Sequence, residues 1–272
     1  MLRVGIVGCG VMGKAHAQTL HERVRGAEVV AVCDISEEST QEVAALVDGA
    51  STYSDYKDLI NSPEVTAVVV TVPAAYHTDI VLEAIKAGKP VFSEKPLADT
   101  AAECKAIVDA ETAGGKRLVQ VGFMKRYDKG LIQIKELIDS GEFGAPLVVK
   151  ATQRSERIQD MYPYYTNEMQ ITDAAIHEIN LVPWLIGDDW DEVQTYASKA
   201  SRHVRDGLQD PLVIMLKSRT GVLCMVEQFV NTYFLGYEST AEVVCEDGIL
   251  NLPGPSTPVM RRNHEMGVAR SE

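Results

Sequence analysis

The chain has 272 residues, 46% of them hydrophobic, enough to bury one large core or two modest ones, with two domains the expectation. Its formal charge of −13 argues against a nucleic-acid partner, because a polyanion is repelled except at a local basic patch, and the basic residues are scattered apart from short groups such as Lys125-Arg126. The longest apolar run, Val65 to Ala75, is too short to cross a bilayer and is interrupted by Thr66, Thr71 and Pro73, so no membrane span is expected.

In chain order, Leu2 to Val7 is apolar enough for a buried parallel strand, and the chain reaches it with no basic leader or apolar signal core, which predicts a cytoplasmic protein. The strand runs into Gly8-Cys9-Gly10-Val11-Met12-Gly13 and then a helix from Val11 to Arg23. Glycines at a strand-to-helix turn allow a tight turn, close approach of a pyrophosphate to the backbone and close helix–strand packing, while the helix N-terminus offers N–H groups to the anion. The next strand, Val29 to Cys33, stops at Asp34, 21 positions after Gly13, where a carboxylate accepts hydrogen bonds from the adenosine-ribose hydroxyls and repels a 2′-phosphate. Ile35 and Ser36 supply no arginine for such a phosphate, so the expected cofactor is NAD. Besides Gly8, Gly10, Gly13 and Asp34, the expected cofactor contacts are Val11, Met12, Ile35, Pro73, His77, Glu94 and Lys95.

Strands and helices go on alternating: a helix over Glu37 to Val47, a short one near Tyr56 to Asn61, the strand Val65 to Val72, a helix from Tyr76 to Ala87, the strand Pro90 to Phe92, a helix from Thr100 to Ala113 and the strand Leu118 to Val121. Such alternation predicts a doubly wound parallel sheet over residues 1–121. From residue 122 the pattern changes. A helix over Lys129 to Ser140 leads to the strand Leu147 to Ala151, a tyrosine-rich loop from Arg154 to Asn167 and a helix from about Thr172 to Ile186. Strand-like runs follow at Val193 to Ser198, Leu212 to Leu216, Val222 to Phe229, Thr240 to Cys245 and Ile249 to Leu252, with no helix between them. They predict a second α/β domain, residues 122–272, with an open and mainly antiparallel sheet.

Three residues carry the chemistry that a nucleotide fold alone does not give. Lys95, in Ser93-Glu94-Lys95-Pro96, lies just past a strand, at the sheet edge where open α/β folds place ligands. Asp173 and His177 are four apart and share one face of the predicted helix; a carboxylate beside an imidazole fixes its tautomer and raises its basicity, as oxidation of an alcohol requires. A surface lysine, a helix-capping aspartate and a packed histidine are the alternatives these residue types carry. His16 and His21 on the first helix, and His203 and His264 in loops, read as solvated. His77, at a helix start near the expected cofactor, reads equally as a cap or a packed ring. Arg126, Tyr127, Tyr164, Tyr165, Tyr233 and Tyr237 are candidates to hydrogen-bond a hydroxyl-rich ligand. The five cysteines (Cys9, Cys33, Cys104, Cys224, Cys245) show no CxxC spacing and read as reduced core residues, with neither a disulfide frame nor a metal site.

In Gly8 to Gly13, Ala87 to Leu97 with its Glu-Lys-Pro, Gln120 to Asp128, Ile171 to Ile179 with its Asp-x-x-x-His, and Glu246-Asp247-Gly248, the chain resembles the Gfo/Idh/MocA oxidoreductases, and most closely the inositol 2-dehydrogenases among them. The resemblance implies an N-terminal Rossmann domain and a C-terminal domain whose open sheet mediates oligomerisation, to a tetramer or a dimer. It implies that Lys95 and Asp173 assist His177 as acid/base and that the segment around Arg126, with Tyr237, borders a polyol. The expected activity is NAD-dependent oxidation of a secondary hydroxyl of a cyclic polyol, myo-inositol to 2-keto-myo-inositol being the leading case. A sugar dehydrogenase of the same family and a non-catalytic NAD(H)-binding paralogue are the alternatives.

Overall fold

The structure, a computed structural model, describes residues 1–232 and 237–252. The chain divides into two compact units, Met1–Gly122 and a second from Phe123 onward.

The first unit is built from β1 (Leu2–Val7), α1 (Val11–Arg23), β2 (Ala27–Cys33), α2 (Glu37–Leu46), β3 (Ser51–Tyr53), α3 (Tyr56–Asn61), β4 (Ala67–Val70), a 3₁₀ turn at Ala74–Tyr76, α4 (His77–Lys86), β5 (Val91–Ser93), α5 (Ala101–Ala113) and β6 (Val119–Val121). All strands are parallel, in the order β3-β2-β1-β4-β5-β6. Alternation along the strands explains the layering. Val7, Val68 and Val70 pack with Leu59, Ile60, Ile80, Val81 and Ile107 of α3, α4 and α5, whereas Val4, Ile6 and Val69 pack with Ala17 and Val43 of α1 and α2. The chain leaves β1 for β2 on one side and returns to β4 on the other. The strand order therefore reverses at β1, and an open α/β sheet takes its ligand in the crevice at such a point.

The second unit contains a 3₁₀ turn at Met124–Tyr127, α6 (Lys129–Ser140), β7 (Pro146–Glu156), α7 (Ile158–Met161), α8 (Asn167–Met169), a π-helical segment at Gln170–Ala175, α9 (Ile176–Ile186), β8 (Trp190–Ala197), β9 (Leu212–Ser218), β10 (Leu223–Thr232), β11 (Glu238–Cys245) and β12 (Ile249–Leu252). Its sheet has the order β12-β11-β7-β10-β9-β8, with β7 and β10 parallel and every other pair antiparallel. Leu131 and Ile134 of α6 and Leu181, Val182 and Leu185 of α9 cover Val149, Ile214, Val226 and Val243 on one face. Residues of opposite parity, including Lys150, Met215, Met225 and Glu242, are half-buried or exposed.

Two expectations need correction. β7 does not end at Ala151 but runs to Glu156, because Arg154 is charge-balanced within the sheet: its Nε donates to Glu227 Oε1 at 2.8 Å and its Nη1 to Glu238 Oε2 at 2.6 Å. The helix expected from Thr172 is not one regular α-helix. The chain is π-wound through Ala175 and becomes α-helical only at Ile176. Among the described residues no helix is long and apolar enough to cross a membrane.

Candidate active site

The turn after β1 is shaped by its glycines. Gly8 has φ +102°, where an L side chain is strained, and a Cβ on Gly13 would lie 1.9 Å from the Gly8 carbonyl oxygen. Gly10 differs: its φ is −72°, and a Cβ there would meet no atom of the chain within 4 Å. The space in front of Gly10 thus lies open at the N-terminus of α1, which has no side-chain cap and whose first N–H groups suit a pyrophosphate. Val11, Met12 and Ile35 are exposed beside it. Asp34 is fixed by its own backbone contacts, accepting from Cys9 N–H at 2.7 Å and Ser36 N–H at 2.9 Å. A carboxylate has about four lone-pair sites, so two acceptor positions are left for ribose hydroxyls. Burial, reinforced by the Asp34 charge, pushes the Cys9 thiol up to about 11, which keeps it a neutral packing group. These features fit a dinucleotide.

Glu94 and Lys95 follow β5 at the carboxyl edge of the sheet. His16 is not the solvated residue expected: its Nε2 lies 2.7 Å from Glu94 Oε1 and its ring packs edge-on against Phe92 at 5.3 Å. The other carboxylate oxygen, Oε2, accepts from Lys95 N–H at 3.3 Å. Burial opposes ionisation of Glu94, but the His16 contact and the Lys95 N–H outweigh it and hold its carboxyl below the usual range. His77, 1% exposed, lies with Nδ1 2.8 Å from the Pro96 carbonyl oxygen and Nε2 2.8 Å from that of Val72. The ring is committed to the protein, with no nitrogen left to meet a cofactor, and of its two sequence readings the packed one describes it. Pro73, exposed, caps the 3₁₀ turn beside it.

In the second unit, Asp173 is half-buried in the π-helical segment, and His177 is 7% exposed in the first turn of α9. π-wound turns inside helices recur at functional sites, where they re-aim side chains that a regular helix would direct elsewhere. Three residues on from His177, Asn180 holds Arg126: Nε donates to Asn180 Oδ1 at 2.8 Å and Nη2 to the Asn180 carbonyl at 3.3 Å. Burial lowers the guanidinium's pKa, against the smaller opposing effect of Tyr127. Tyr237 is exposed on a cavity of about 500 Å³ that it shares with Met124, Lys125, Tyr127, Asp128 and Ser239. Tyr165 is buried and donates its hydroxyl to the Met169 carbonyl at 3.1 Å; Tyr164 is exposed. Tyr233 and His264 lie outside the described residues. Neither Asn180 nor the buried Lys125–Glu178 ion pair was singled out from the sequence, where a polar residue on a helix carries no mark of its partner. Among the described residues no cluster of His, Cys, Asp or Glu is arranged to hold a metal.

Two family models cover most of the chain. The oxidoreductase family with an NAD-binding Rossmann fold, GFO_IDH_MocA, matches residues 2–123, and the GFO/IDH/MocA C-terminal domain matches residues 131–251. The chain belongs to the Gfo/Idh/MocA oxidoreductase family. It is accordingly an NAD-dependent oxidoreductase, with its cofactor domain in the first unit. Among relatives of this family, it is 41% identical over 269 residues to an inositol 2-dehydrogenase of Klebsiella pneumoniae, an alignment covering 98% of this chain and 79% of that one. It is 45% identical over 261 residues to an inositol 2-dehydrogenase of Azotobacter vinelandii, covering 96% and 76%. Among solved structures it is similar to the myo-inositol dehydrogenase of Lactobacillus casei in complex with NAD(H) and myo-inositol. That likeness has a TM-score of 0.90 and 39% identity, and covers 99% of this chain and 79% of the other.

Proposed function

We propose that this chain oxidises a secondary hydroxyl of a cyclic polyol, converting myo-inositol to 2-keto-myo-inositol. The observation that carries the reading is a largely buried imidazole, His177, at a π-to-α junction that also bears Asp173. The identity to proteins named inositol 2-dehydrogenase supports it. Bound NAD supplies the hydride acceptor. The residues proposed to hold it are Gly8, Gly10, Val11, Met12, Gly13, Asp34, Ile35, Pro73, Glu94 and Lys95.

In this proposal His177 takes the hydroxyl proton as the carbon loses hydride. Asp173 orients the ring and stabilises the imidazolium. Lys95 donates a hydrogen bond to the reacting oxygen, and Arg126 and Tyr237 donate to neighbouring hydroxyls, fixing which one reacts. Positioning contributes more than proton transfer: a near-attack geometry supplies roughly 7–11 kcal/mol, against a factor of about 10²–10⁴ from acid/base help. His177→Ala should therefore abolish most turnover and leave NAD affinity nearly intact. NADH formation followed with inositols and aldoses tests the whole reading. Activity on aldoses alone would replace the polyol by a sugar, and NADH binding without any polyol-dependent reduction would make the chain a non-catalytic binder.

We further propose a cytoplasmic homo-oligomer, a tetramer or a dimer, joined through the second sheet. The support is the face bearing Met215 and Met225, which α6 and α9 do not cover. A monomeric mass by light scattering would reject it.

A further inference from the structure

Lys125 and Glu178, 7% and 1% exposed, form an ion pair inside the second unit. Lys125 Nζ donates to Glu178 Oε1 and, at 2.9 Å, to Ser239 Oγ. The Gln153 amide, with its nitrogen toward the carboxylate, donates to Oε1 at 3.1 Å and Oε2 at 2.8 Å. Burial pushes the Glu178 carboxyl up and Lys125 draws it back. Such a pair is a poor way to gain stability, because desolvating two charges offsets most of their attraction and apolar residues of similar size often do as well or better.

What it does supply is direction. Lys125 precedes Arg126 in the 3₁₀ turn Met124–Tyr127, and Glu178 follows His177 in the first turn of α9. The ion pair therefore ties together the two backbone segments that carry the proposed proton acceptor and the proposed hydroxyl donor. The Arg126–Asn180 hydrogen bonds, one turn along, tie the same two segments again. An apolar pair would fill the space without fixing the register.

We propose that Lys125 and Glu178 are positioning residues that set the Arg126 turn and the His177 end of α9 in one register, so that ring and guanidinium meet the polyol in a fixed geometry. This rests on the functional reading above.

Two variants test it. The double variant Lys125→Met, Glu178→Leu leaves no buried charge, and Glu178→Asp keeps both charges while shortening the arm by a methylene. In both, thermal stability and NAD affinity should stay near wild type, while kcat falls about 10²-fold in the double variant and about tenfold in Glu178→Asp, with KM for myo-inositol raised, since displacement on the order of 1 Å costs that much. The ¹⁵N resonances of the His177 ring should move in both. Folded variants with kcat, KM and ring resonances within about twofold or unshifted from wild type, on the same scale of positional sensitivity, would overturn the proposal. Should the double variant fail to fold, Glu178→Asp decides alone. If no polyol supports NAD reduction by the wild type itself, the functional reading fails. The ring resonances then separate the two ideas: unshifted in Glu178→Asp they overturn the couple also, and shifted they leave its hold on His177 in place.

Discussion

His16 Nε2 lies 2.7 Å from Glu94 Oε1, so the helix that starts at the glycine turn is tied to the loop that carries Lys95. Glu94 is held below its ordinary value of 4.5. A carboxyl lowered in the folded state adds stability that is present above its unfolded value and is lost as pH falls through the folded one. Unfolding of the wild type should accordingly become easier below about pH 4.5, and His16→Ala should remove part of that acid sensitivity. At neutral pH the same variant should cost about 1.5–3 kcal/mol, the range for a hydrogen bond to a charged group. Denaturant unfolding at several pH values measures both, and parallel profiles for the two proteins would refute the coupling.

Gly10 and Gly13 separate ligand space from packing. A Cβ at Gly10 meets nothing of the chain, whereas one at Gly13 would overlap the Gly8 carbonyl. Gly10→Ala should therefore fold with a melting temperature near wild type and lose most of its affinity for NAD. Gly13→Ala should lower the melting temperature as well, because α1 must move off β1. Calorimetry and NADH fluorescence titration read the two effects, and tight NAD binding by folded Gly10→Ala would remove the pyrophosphate from this turn.

His77 joins the chain after β4 to the chain after β5, through the carbonyls of Val72 and Pro96. A neutral imidazole has one N–H to donate, so His77→Ala leaves one of these carbonyls without its donor, at a cost of about 1–3 kcal/mol. Because Pro96 is bonded to Lys95, the loss should also loosen the lysine and lower kcat more than it weakens NAD binding. A variant as stable and as active as the wild type would show that the ring only fills space.

Much of this was legible in the sequence because it is local. The glycine turn, Asp34 at the end of β2 and the alternation of apolar strands with amphipathic helices are set by neighbours in the chain, and the parallel sheet follows from them. What escaped depends on partners far away or on backbone atoms. The three residues of β3 are polar and too short to show a period. His16 sits on a polar helix, and its partner is 78 positions distant. His77 binds carbonyls, which every residue possesses. The π-winding of Gln170–Ala175 was hidden because six residues are too few to tell a widened turn from a 3.6-residue one. Nothing local marks Lys125 and Glu178 as buried, because Gln153 of β7 and Ser239 of β11, which bond to them, lie far along the chain.

Asp210 offers a test of buried charge outside the proposed chemistry. It is 0% exposed, accepts from Val230 N–H and from the Asn231 amide, each at 3.0 Å, and is in no ion pair among the described residues. Burial, only partly opposed by these bonds, pushes its carboxyl from the ordinary 3.8 up to about 6. Below the lower value both folded and unfolded chains hold the proton, so the group contributes nothing to the pH dependence. Between the two values the unfolded chain releases its proton first, so the folded state loses ground as pH rises. Above about pH 6 the penalty levels off, at about 3 kcal/mol for a displacement of this size. Asp210→Asn cannot ionise. Whatever it loses in hydrogen bonding, its stability relative to the wild type should rise by about 2.4 kcal/mol between pH 4 and pH 7. Paired denaturant curves across that window measure the difference directly. A difference that stays constant with pH would mean that Asp210 is ionised in the folded chain at no cost, and that the Val230 N–H and Asn231 amide compensate fully for its burial.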